Sequence, residues 1–146
     1  MKYSPCALWE INYPKIISIL FLFILINFGG DNILDFDKLI GESISVFGIL
    51  LGFFITIITL LNTMDNQYMR VIRSNNETFG LLKKYLKNVI WLTFYTIILG
   101  LIYEFILINC YFPFKDIYQL IIFFFNILTI ISSYRFIKLF LLIIIP

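Results

Sequence analysis

Apolar residues run along this chain in four long blocks separated by short polar stretches. A helix needs about 20 mostly apolar residues to cross about 30 Å of hydrocarbon. The blocks at residues 11–28, 43–64, 88–108 and 117–134 meet that requirement. The first ends at Gly29-Gly30, a helix-stop signal. Lys15 lies near its start and snorkels to the interface, with Trp9 and Tyr13 marking the headgroup level. No small-x-small cleavage site follows this block, so it reads as a retained helix rather than a signal peptide. The second block is uncharged from Ser43 to Met64. The third is interrupted only by Glu104, and its helix ends before Pro113. The fourth is uncharged from Ile117 to Tyr134 and then meets Arg135 and Lys138.

The polar stretch between the second and third blocks keeps a helical rhythm. Leu61, Met64, Tyr68 and Val71 recur at helical spacing, as do Phe79, Leu82, Leu86 and Val89. Between them, Ser74-Asn75-Asn76-Glu77 has the form of a turn and capping box. Residues 62–87 are therefore expected to form an antiparallel helical hairpin that extends the second and third spans. The predicted fold is an all-α integral membrane protein, one membrane domain over residues 1–146 with four transmembrane helices.

Helices in lipid gain nothing from hiding apolar faces, so small and polar residues mark where they touch. On the second span Gly41, Ser45, Gly48, Gly52, Thr56, Thr59 and Thr63 are spaced four, three, four, four, three and four apart. At 100° per residue all of them fall within about 80° of one another. Gly48-x-x-x-Gly52 is itself a small-xxx-small contact. The third span places Thr93, Thr96, Gly100 and Glu104 on one side. The fourth places Gln119, Asn126, Thr129 and Ser133 on one side. These stripes form either the core of a single four-helix bundle or an inter-subunit seam or polar path in a homo-oligomer. The first span has only Ser18 and Asn27, on opposite sides, and is expected at the lipid-facing periphery.

Composition removes the soluble alternatives. The chain is 61% hydrophobic and 14% charged, against about 45–50% and about 25% in soluble domains. A 146-residue soluble domain leaves too much surface exposed to hide that much apolar area, and a disordered chain needs the opposite balance. The net charge of +2 is too small to imply nucleic acid as a partner.

The placement of charge sets the expected orientation. With both termini inside, Lys2, Lys15, Arg70, Arg73, Lys83, Lys84, Lys87, Arg135 and Lys138 are cytoplasmic, nine of the 11 basic residues. Only Lys38 and Lys115 lie outside, so the positive-inside rule favours cytoplasmic termini and a cytoplasmic hairpin. Arg70, Arg73, Lys83, Lys84 and Lys87 then either rest on anionic headgroups or dock a cytosolic protein. Glu104 lies 17 residues beyond Lys87, roughly 25 Å along a helix. It reads as a solvated interfacial acid, or as a buried acid paired with Gln119, Lys115 or a neighbouring subunit.

Little catalytic chemistry is encoded. There is no His, no Ser nucleophile elbow and no phosphate-cradling Gly loop. Cys6 and Cys110 fall near opposite faces in this topology and read as unpaired thiols. Asp31, Asp35, Asp37 and Glu42 match no Ca²⁺ loop and read as solvated charge in the first loop. No enzyme activity, cofactor or metal is expected.

The stretch VFGILLGFFITIITLLNTMDNQYMRVIRSNNETFGLLKKYLKNVIWLTFY, Val46 to Tyr95, resembles the middle of small four-helix membrane proteins of bacterial phage-defence loci. The likeness lies in a small-residue second span, an exit at Asp65-Asn66 and a basic amphipathic turn back into the membrane. It covers about a third of the chain and carries no residue roles, since no fixed motif is matched. The resemblance implies a bacterial inner-membrane subunit that perturbs the membrane on infection or senses damage and signals inward. The expected function is thus a non-enzymatic effector or sensor that oligomerises and couples to a cytosolic partner. The alternatives are an immunity protein against a pore-forming bacteriocin and a small assembly or scaffold subunit of a membrane complex.

Overall fold

A computed structural model of the chain describes residues 5–27, 36–63, 76–107 and 115–144. The described residues are all helical: α1 (Pro5–Asn27), α2 (Phe36–Thr63), α3 (Asn76–Ile102) and α4 (Lys115–Ile144). A single π-helical turn, Tyr103–Leu107, continues α3. Three helical stretches are long and apolar enough to cross a membrane: Phe36–Thr63, Phe79–Phe105 and Lys115–Leu141. The corresponding apolar stretch of α1, Asn12–Ile24, is shorter.

Three helix limits differ from the sequence expectation, for a common reason. Hydropathy stops at charged residues, whereas backbone hydrogen bonding does not. Helix α2 begins at Phe36, not Ser43, so Asp37, Lys38 and Glu42 lie in its first two turns rather than in a loop. Asp37 suits the positive end of the helix dipole, and Lys38 pairs with Glu42 one turn on, at 3.9 Å. Helix α4 likewise carries on past Arg135 and Lys138 to Ile144. Helix α1 starts at Pro5, which puts Pro14 in its interior. The turn at Ser74-Asn75, the stripe residues Met64, Tyr68 and Val71, and the Asp65-Asn66 exit lie outside the described residues.

Successive helices alternate in direction. Phe21 of α1 meets Phe123 of α4, ring centroids 6.3 Å apart, while Arg135 of α4 lies over Tyr13 of α1. Tyr103, after α3, reaches Asp37 near the start of α2. Tyr85 near the start of α3 meets Arg135 late in α4. Helices α1 and α3 therefore run one way, α2 and α4 the other. The Tyr13, Asn62, Lys87 and Arg135 levels therefore fall at one end; Asp37, Glu104 and Lys115 fall at the other.

The interior has two apolar clusters with a polar layer between them. At the first end Phe54, Ile57 and Leu61 of α2 pack on Leu82, Leu86 and Val89 of α3 and Phe136 of α4. This is the meeting of the Leu61 and Leu82–Leu86–Val89 stripes expected for a hairpin, within its described part. At the other end Ile40, Tyr103 and Ile122 pack with Ile44, Leu99 and Tyr118. Between them Thr93, Thr96, Asn126, Thr129 and Ser133 are buried. Helix α1 lies at the edge against α4, with Ile16, Ile17, Ile19, Leu20 and Phe23 exposed. Among its described side chains the one buried polar group is Ser18, which donates to the Pro14 carbonyl at 2.7 Å.

Candidate functional site

The small-residue face of α2 points out of the bundle. Ser45, Gly48, Gly52, Thr56, Thr59 and Thr63 are exposed, and Gly41 is half-buried. The residues that α2 does bury are Ile40, Phe47, Phe54, Ile57 and Leu61, about 150° around the helix from the small stripe. Among the described residues, a Cβ added at Gly48 or Gly52 would meet nothing within 4 Å. Of the two expectations for this stripe, the core of a single bundle does not hold. Bulky side chains fill the interior of the bundle better, so the chain turns those inward and leaves its smallest surface free. The threonine hydroxyls of this face are already satisfied: Thr56 donates to Gly52, Thr59 to Ile55 and Thr63 to Thr59, at 2.9, 3.1 and 2.8 Å. The face is thus hydrogen-bonded and flat before any partner arrives.

The polar stripes of α3 and α4 do the opposite. Thr93, Thr96 and Gly100 are buried, as are Asn126, Thr129 and Ser133, and the two stripes meet. The Thr96 and Thr129 hydroxyls share a 2.8 Å hydrogen bond. Asn126 Nδ2 donates to Ser43 Oγ of α2 at 3.2 Å. Gly100 lets Ile44 of α2 approach closely, since a Cβ there would stand 2.8 Å from Ile44 Cγ1.

Above this layer is a polar cap that the sequence reading did not assemble. Asp37 accepts hydrogen bonds from the Tyr103 hydroxyl and from Gln119 Nε2, the latter at 3.1 Å. Gln119 also donates to the Tyr103 oxygen, and Lys115 Nζ stands 3.6 Å from Asp37 Oδ2. Tyr103 is 1% exposed and its ring stacks on Tyr118, whose hydroxyl donates to the Leu99 carbonyl. The hydropathy pattern groups Asp37 with the solvated acids of the first loop and singles out no role for Tyr103. The available signal was the absence of Gly and Pro from Phe36 to Ile40, which lets α2 extend back and carry Asp37 over the bundle.

Gln119 and Lys115 thus serve Asp37, not Glu104. Glu104 is exposed, on the π-helical turn that carries the buried Tyr103. Its Oε1 lies 4.0 Å from where a Cβ on Gly41 would stand, at the end of the α2 small stripe.

At the opposite end Lys83, Lys84 and Lys87 are exposed on α3, while Arg70 and Arg73 lie outside the described residues. Arg135 Nη2 donates to the Tyr85 hydroxyl at 2.5 Å, and its guanidinium lies over the rings of Tyr85 and Tyr13. Among the described residues, no group of three or more His, Cys, Asp and Glu stands close enough to hold a metal ion. Compared with known proteins, the chain matches no family model, no curated relative and no solved structure.

Proposed function

We propose that this chain is a non-enzymatic inner-membrane subunit of a bacterial phage-defence system, an effector or sensor that assembles with copies of itself through α2. In this reading it crosses the bilayer four times with both termini in the cytoplasm. The basic hairpin couples it to a cytosolic partner.

The observation that carries the assembly is the outward placement of Gly48 and Gly52 with nothing against them. In lipid, close backbone approach is what helix association gains from, and two exposed glycines one turn apart permit it. The orientation is supported by the charges: Lys15, Lys83, Lys84, Lys87, Arg135 and Lys138 stand at one end of the bundle and Asp37, Glu42, Glu104 and Asp116 at the other. The defence role rests on the resemblance of residues 46–95.

Membrane potential and dye entry after induced expression of the chain alone test this reading. Rapid depolarisation, lost when Gly48 and Gly52 are both changed to Leu, supports an assembling effector. Intact potential and normal growth reject the effector role and leave the sensor. Protection of that host against one pore-forming toxin would instead identify an immunity protein.

A further inference from the structure

We propose that a cavity between α1, α3 and α4 holds the phosphate headgroup of an anionic phospholipid, with Arg135 and Lys15 as its cationic ligands. The cavity has a volume of about 250 Å³, several times the ~30 Å³ share of one liquid water. Its rim is polar and comes from three helices: Lys15 of α1, Tyr85 and Asn88 of α3, Ser132 and Arg135 of α4. Its floor is apolar, formed by Val89, Leu92 and Leu128. A charged rim over an apolar floor matches an amphiphile, headgroup at the mouth and acyl chain along the groove.

Arg135 decides the sign of the ligand. Its guanidinium is held between aromatic groups, 4.2 Å from the Tyr85 centroid and 5.5 Å from that of Tyr13. These rings fix its orientation without neutralising it. Among the described residues the ion pairs are Lys38–Glu42 and Lys115–Asp37, so no carboxylate answers Arg135 or Lys15. A cation at membrane depth without a counter-ion is costly, and an anion from the bilayer removes that cost. The planar fork of an arginine suits two phosphate oxygens at once. The site lies at the end that carries Lys83, Lys84 and Lys87, where anionic lipids are found if that end is cytoplasmic. The proposal thus rests on the membrane topology given above. A second groove, of about 370 Å³ between α2 and α3, also presents two lysines. That groove has no guanidinium to grip two phosphate oxygens at once.

Native mass spectrometry of the full chain, released from nanodiscs of equal phosphatidylcholine and phosphatidylglycerol, reads which lipid stays bound. The expected result is preferential retention of phosphatidylglycerol. Arg135→Gln and Lys15→Gln should each lower it about fivefold, the effect of one cation near the surface. Arg135→Lys should restore part of it, and Lys138→Gln, outside the cavity, should change nothing. Equal retention of the two lipids, or retention unchanged in both Gln variants, overturns the site. Inorganic phosphate that stabilises the delipidated chain as well as phosphatidylglycerol does would overturn the lipid assignment, because the apolar floor would then play no part. Carbonate extraction is read in parallel. Wild-type chain released by carbonate refutes the membrane reading itself, whereas embedded chain that retains no phosphatidylglycerol refutes this site alone.

Discussion

Gly100 of α3 lies directly against Ile44 of α2, so closely that a Cβ at Gly100 would stand 2.8 Å from Ile44 Cγ1 and 3.1 Å from Cδ1. The Ile44 side chain must give way to any larger residue there. Gly100→Leu should destabilise the bundle by about 1–3 kcal/mol, the usual cost of overpacking. Gly100→Leu combined with Ile44→Ala should recover part of that loss. Unfolding in mixed micelles reads both, and a Gly100→Leu variant as stable as the parent would show that the two helices do not touch here.

Gly48 and Gly52 sit on the same sequence pattern of small residues but in the opposite environment. Among the described residues nothing stands within 4 Å of a Cβ at either. Changing both to Leu should leave unfolding of the single chain unaltered while abolishing oligomers on native gels. Oligomers that survive the double change would remove α2 from the assembly interface. Loss of single-chain stability would mean that this face packs inward after all.

The two glycine environments show what the sequence makes legible. Helix content, the number of helices and the meeting of Leu61 with Leu82 and Leu86 follow from apolar periodicity. The polar stripes of α3 and α4 also follow, since buried hydroxyls in lipid need partners. What periodicity does not tell is which side of α2 faces in, because both its sides are compatible with packing and hydropathy is high all round. The choice is made by volume: Phe47 and Phe54 are buried, and Phe54 packs on α3 and on Phe136 of α4, space that Gly48 and Gly52 would leave empty. The Asp37 cap was hidden for a different reason. Its members lie 66 and 82 positions apart, and a charged residue at a helix start looks like loop until the helix is seen to begin before it.

Asp37 accepts from Tyr103 and Gln119 and pairs with Lys115, so its removal leaves several donors without an acceptor. The cost falls mostly on Tyr103, which is 1% exposed. Asp37→Ala should lower stability by about 1–3 kcal/mol, the penalty for an orphaned buried polar group. Asp37→Asn keeps an oxygen in place and should cost less. Pairing Asp37→Ala with Tyr103→Phe should cost less than the two single changes added together. Thermal unfolding in detergent orders the variants, and strict additivity would mean that Asp37 and Tyr103 are not coupled.

Among the described residues the exposed trio Lys83, Lys84 and Lys87 makes no ion pair with the bundle, so its charge contributes little to the fold. Replacing all three with Gln should release a cytosolic partner from co-purification without changing membrane insertion, as read by reporter fusions at the two termini. A flipped or lost insertion would assign these residues to topology alone.

Two buried groups in the polar layer differ in a way that gives opposite predictions. Thr129 shares its hydroxyl bond with Thr96, which itself bonds back to the Leu92 carbonyl at 2.8 Å. Ser133, one turn further along α4, is 4% exposed and its Oγ has no partner. A satisfied hydroxyl stabilises the packed state, whereas an unsatisfied one loses its hydration for nothing. Thr129→Val should therefore cost about 0.5–1.5 kcal/mol, close to the modest size of interhelical hydrogen bonds in membranes. The Thr96→Val and Thr129→Val double change should cost less than the sum of the singles. Ser133→Ala should be neutral or slightly stabilising, because it removes a polar atom that gains nothing in the interior. Unfolding of the four variants under one set of conditions separates the cases. A Ser133→Ala variant clearly weaker than the parent would show that Oγ is bonded in the membrane, to a water or to a neighbouring chain.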